Sequence, residues 1–210
     1  MYYERKSRLA AGMLTVITNR VGDVVFIVML GVMRGLMVFN FEDLIELGLR
    51  FVVCVAIVVG RVTKRAQIPF SAWLPAAIAA PTPVSTLVHS STLVTAGLFV
   101  LIRFRGGIRG AALMVLLVLS GFTCLIAGAC ALIEPDLKKV VALSTLRQLG
   151  VIGVALSIGD CDLAFFHLVV HALFKALIFM CVGCYIMSGY GVQECRSFRG
   201  LYFKYPVVGG

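Results

Sequence analysis

Residues 61–75 read Arg61-Val62-Thr63-Lys64-Arg65-Ala66-Gln67-Ile68-Pro69-Phe70-Ser71-Ala72-Trp73-Leu74-Pro75, and the chain continues through Pro81-Thr82-Pro83 to His89-Ser90-Ser91. Three cations, four prolines and one histidine fall here, between segments that are long and apolar. A proline removes a backbone donor and biases its predecessor away from helix. The apolar run at 49–60 is too short to cross a bilayer alone at about 1.5 Å per residue, and the apolar pattern resumes at 68–80. The economical reading is one discontinuous helix over 49–80, broken near 64–69, with Lys64 near the midplane. Broken helices are tolerated at that depth only where the freed backbone faces protein or water, the setting of ion pathways.

The composition demands a membrane. Hydrophobic residues make up 60% of the 210, charged residues only 14%, and the mean hydropathy is +1.02, values outside the range of soluble domains. The net charge of +9 does not indicate nucleic acid, because the cations lie mainly between apolar segments and form no stripe interleaved with aromatics. Working outward from the broken helix, further spans are expected at 12–38, 84–102, 111–133, 137–158 and 163–188. The chain then reads as an all-α membrane protein of six transmembrane helices, one of them discontinuous. Cations concentrate on the side shared by residues 1–8, 134–139 and 191–205, which places both ends on the matrix or cytoplasmic side. The opening residues read as an interhelix loop, and no targeting segment is visible. The seven cysteines are odd in number and sit mostly in apolar runs, where they pack as small side chains. Cys181 and Cys184 lack the second pair that a metal site needs.

Several charges lie inside the expected spans. Arg20 and Asp23 are three residues apart, so they share a helix side and can pair, either to orient the helix or to act in transport. His167, His171 and Lys175 recur every four residues and climb one helix face at about 6 Å per step. Imidazole both donates and accepts protons near neutral pH, so such a stripe suits proton transfer; it also suits side chains satisfied by neighbouring helices. A zinc-protease helix is disfavoured because Leu168 stands where the H-E-x-x-H signature requires glutamate. No phosphate-binding loop or dinucleotide fingerprint occurs. Each charged side chain at the bilayer centre costs roughly 2.5–3.5 kcal/mol on insertion scales. Arg20, Asp23, Lys64, Arg65, Arg147 and Lys175 therefore suggest a hydrated polar axis, with any energy source elsewhere.

The run from Lys64 through Trp73-Leu74-Pro75, Pro81-Thr82-Pro83-Val84-Ser85, His89-Ser90-Ser91-Thr92 and Thr95-Ala96-Gly97 resembles the antiporter-like membrane subunits of the proton-pumping NADH:ubiquinone oxidoreductase, respiratory complex I. Asn19-Arg20-Val21-Gly22-Asp23, Asp136-Leu137-Lys138-Lys139, Ser144-Thr145, Gln148-Leu149-Gly150 and His167 to Lys175 extend it in order over nearly the whole chain. The resemblance implies the central portion of an inverted-repeat helix bundle. In it Lys64, His89, His167, His171 and Lys175 form a proton path, and Arg20 and Asp23 form a modulating charged pair. It also implies a glutamate partner for Lys64 on a preceding helix outside this chain, and a fragment or split subunit. Partners would be other membrane-arm subunits and the lipid bilayer, in the mitochondrial inner membrane or a bacterial plasma membrane. NADH, FMN, iron–sulfur clusters and ubiquinone are expected in other subunits, with no cofactor in this chain. Arg65 and Arg147 depart from the small polar residues usual at their positions. A multisubunit sodium/proton antiporter component and a purely structural membrane element are the competing readings.

Overall fold

The computed structural model describes residues 6–35, 37, 50–64, 66–68, 70, 71, 73–78, 82, 86, 93–103, 110–189 and 191–198. Their ordered elements are α1 (Lys6–Gly35), α2 (Arg50–Lys64), α3 (Trp73–Ala77), α4 (Leu93–Arg103), α5 (Ala111–Ile133), α6 (Leu137–Ile158) and α7 (Cys161–Ser188), followed by a 3-10 turn at Cys195–Phe198. Helices prevail because a bilayer offers no water to unpaired backbone groups. Among the described residues four stretches are long and apolar enough to cross a membrane: Leu9–Gly35, Ala112–Ile133, Leu137–Ile158 and Cys161–Ser188. Of the expected span at 84–102, only Thr86 and the residues from Leu93 onward are described.

α6 is the enclosed helix, packed between α5 and α7. Val141, Ala142, Leu146, Leu149, Ile152 and Leu156 are buried along it. The other long helices turn large apolar side chains outward, among them Ile27, Leu125, Phe166, Leu173 and Met187, as lipid-facing helices do. Lipid is as apolar as leucine, so helices associate here through close fit and interhelix hydrogen bonds rather than by expelling water. Two glycines mark that fit. A Cβ on Gly22 would run into Thr63 Oγ1 and lie 3.0 Å from the Gly60 carbonyl, so α1 and α2 touch there without a side chain between them. A Cβ on Gly150 would lie 2.9 Å from the Ser120 carbonyl and 3.0 Å from Cys124 Cβ, which sets the approach of α6 to α5.

α2 ends at Lys64, and helix resumes at Trp73 for five residues. The last carbonyls of a helix have no partner within it, and here the protein supplies two. Gln67 N donates to Val62 O at 3.1 Å, and the Trp73 indole Nε1 donates to Thr63 O at 2.9 Å. Ala66 adopts a φ of 53° between them, a left-handed conformation that costs a residue with a Cβ roughly 1–2 kcal/mol. At one end of the bundle the chain after α7 returns to the α5–α6 turn. Leu137 N donates to Gln193 O at 3.1 Å and Cys195 N to Pro135 O at 3.0 Å. Lys139 Nζ reaches Asp136 Oδ2 at 2.9 Å and Glu134 Oε2 at 3.5 Å across the same turn.

Candidate functional site

Two lysines on different helices each meet a polar partner across a helix interface. Lys64 is the last residue of α2, and its Nζ lies 2.6 Å from Asp23 Oδ1 on α1. The close approach at Gly22 brings the two helices near enough for that bond. The Phe26 ring centroid lies 5.3 Å from the same nitrogen, within the range at which an aromatic face attracts a cation. The carboxyl end of α2 carries negative partial charge, which also suits a cation at its final residue. Arg20 Nη1 is 3.9 Å from Asp23 Oδ2, with the arginine side chain 77% exposed. Asp23 is thus primarily the partner of Lys64. The i, i+3 spacing in the sequence reveals the weaker contact, and the stronger one depends on an interhelix approach that no local spacing encodes. Lys64 has an acidic partner within this chain.

The second centre lies between α6 and α7. Lys175 is buried, and its Nζ donates to Ser144 Oγ at 2.6 Å. Ser144 in turn donates to Val141 O at 2.7 Å. One turn further along α6, Gln148 Oε1 accepts from His167 Nε2 at 3.2 Å. The His167 and His171 rings lie nearly parallel, with centroids 6.3 Å apart and planes inclined by 12°. His171 Nε2 is buried and has no hydrogen-bond partner among the described residues. The α7 side chains therefore form a graded series: His167 bonded to an amide, His171 open at one nitrogen, and Lys175 bonded to a hydroxyl. Such a series can pass a proton through bridging water, since both imidazole nitrogens exchange protons.

His89 and Arg65 lie outside the described residues. Arg147 is exposed on α6, outside both centres. Among the described residues no three His, Cys, Asp or Glu side chains converge as a metal set. Sequence reasoning assigned no role to Phe26 or to Ser144 and Gln148 as site groups. The last two stand four apart and so share a helix face, a detectable signal, but their alignment with α7 requires the register of two antiparallel helices. Gln67 Nε2 donates to Ser120 Oγ at 3.2 Å, a buried link between the helix break and α5 that also escaped notice.

Residues 1–209 match the family described as NADH:quinone oxidoreductase/Mrp antiporter, transmembrane. The chain is 44% identical over 209 residues to NADH-ubiquinone oxidoreductase chain 5 of Apis mellifera ligustica and 47% identical over 220 residues to that of Aedes aegypti. Each match covers 99% of the chain and 37% of the relative, so the chain spans little more than a third of these curated relatives. Among solved structures it is similar to the archaeal membrane-bound sulfane sulfur reductase, with a TM-score of 0.85, 26% identity and coverage of 99% of this chain and 45% of that one. It is also similar to the Mrp complex from Dietzia sp. DQ12-45-1b, with a TM-score of 0.83, 27% identity and coverage of 90% and 22%.

Proposed function

We propose that this chain, which belongs to the NADH:quinone oxidoreductase/Mrp antiporter transmembrane family, is the proton-carrying middle of a membrane-arm subunit of NADH:ubiquinone oxidoreductase. Protons pass through the Lys64 and Lys175 centres, driven by quinone reduction in other subunits. The observation that carries this reading is the pairing of each lysine across a helix interface, with Asp23 at 2.6 Å and with Ser144 at 2.6 Å, inside a chain of apolar spanning helices. An ammonium in such a setting can give up a proton to water and regain one, and its partner then sets which state is favoured. Asp23 is the counterion of the first site, with Arg20 beside it. His167 and His171 extend the second site along α7, and His89 is assigned the role of passing protons between the two.

The proposed architecture has six crossings in an antiporter-like inverted-repeat bundle, residues 49–80 forming one discontinuous crossing and 84–102 another. NADH, FMN, iron–sulfur clusters and ubiquinone belong to other subunits, and the location is the mitochondrial inner membrane, supported by relatives from animals named for this oxidoreductase. The Mrp neighbour supports a second reading, a sodium/proton antiporter component. NADH-driven proton uptake by sealed vesicles carrying the assembled complex tests both. Lys64→Ala and Lys175→Ala are expected to lower uptake per assembled complex while NADH oxidation continues. Unchanged uptake in both variants contradicts the proposal, and uptake that requires sodium favours the antiporter reading.

A further inference from the structure

A further buried polar feature lies at the helix break that follows Lys64. Gln67 follows Lys64 into the helix break and is fully buried, as are Ser120 and Thr123 on α5. Gln67 Nε2 donates to Ser120 Oγ at 3.2 Å, yet Gln67 Oε1, also buried, has no partner among the described residues. Turning the amide by half a revolution exchanges its open end and leaves one polar atom unmet. A buried polar group without a partner carries its full desolvation cost, and an apolar side chain of similar size would avoid it. In this amide orientation the Ser120 hydroxyl proton has no acceptor among the described residues, its oxygen accepting from Gln67. An open acceptor beside an uncommitted hydroxyl suits a water molecule, which needs two or more polar partners to be held in a protein interior.

The position of this pair gives it consequence. Gln67 stands three residues after Lys64, at the break that ends α2, and Ser120 stands on α5, whose carbonyl at that position lies against Gly150 of α6. We propose that Gln67 and Ser120 hold a water between the broken helix and α5, forming a polar node that extends the Lys64 centre towards α5. Gln67 is a positioning residue here. Its amide neither gains nor loses a proton; the water takes one proton from one side and releases another on the other. The node rests on the transport reading above.

The test uses the full-length subunit in its assembled complex, with protons translocated per electron as the readout. Gln67→Leu is expected to lose protons per electron without a matching loss of assembled complex. Glutamate restores polar oxygens at this position, so Gln67→Glu is expected to recover part of the ratio that Gln67→Leu loses. Ser120→Ala removes only a hydroxyl and guards against misassembly of the larger change; it is expected to lower the ratio in the same direction. A map of the assembled complex that resolves ordered water should show density bridging Gln67 and Ser120. Full coupling in Gln67→Leu and Ser120→Ala, alongside loss in Lys64→Ala and Lys175→Ala, overturns the node alone. Full coupling in the lysine variants overturns the transport reading and the node's role with it.

Discussion

Among the described residues two groups meet the Lys64 ammonium, Asp23 Oδ1 at 2.6 Å and the face of Phe26 at 5.3 Å, and Lys64 is itself the last residue of α2. Removing one member of this partly buried pair leaves the other without its counterion, whereas removing both does not. Asp23→Ala is therefore expected to lower the thermal stability of the purified complex more than the double variant Asp23→Ala/Lys64→Ala does. Equal or additive losses across the cycle would show that the two side chains do not interact. In transport, Asp23→Asn keeps the shape and removes the charge, so it should lower proton translocation per assembled complex, with Asp23→Glu retaining part of it. The sequence displayed Asp23 as the acid inside an apolar span but assigned it to Arg20, because helical periodicity relates only neighbours along one helix. The Lys175–Ser144 bond was hidden for the same reason. The α7 stripe itself was legible, since His167, His171 and Lys175 stand at helical spacing.

Helix contacts depend on where side chains are missing as much as on where they are present. At Gly22 an added Cβ meets Thr63 Oγ1, and overpacking of this kind costs about 1–3 kcal/mol. Gly22→Ala should lower the thermal stability of the complex and weaken the Asp23–Lys64 contact, and Thr63→Ala in the same chain should recover part of the loss. A Gly22→Ala complex that melts with the wild type would mean that α1 and α2 lie further apart than described here. The long helices α1, α5, α6 and α7 were readable because length and apolar composition decide them. The contact points were not, because a glycine in a spanning helix looks the same whether it faces lipid or another helix. The carbonyls at the end of α2 illustrate the same limit. Prolines and cations announced a helix break, but nothing local to Thr63 showed that the Trp73 indole would satisfy it.

At the scale of the whole molecule, the chain is a helical membrane protein of the family shared by complex I and Mrp antiporters, and it covers about a third of its curated relatives. Membrane class and family were legible because composition settles the solvent and ordered motifs run along the chain. The choice between oxidoreductase and antiporter depends on what the rest of the assembly supplies. Replacing sodium with potassium in vesicle assays should leave NADH-driven proton uptake unchanged, and a sodium requirement would move the assignment to the antiporter branch. The decisive measurement is the number of protons translocated per electron by assembled complexes carrying Lys64→Ala or Lys175→Ala. Two lysine centres in a proton path require fewer protons per electron in each variant at an unchanged amount of assembled complex; a wild-type ratio in both, or a loss explained wholly by reduced assembly, would mean that these lysines only hold helices together.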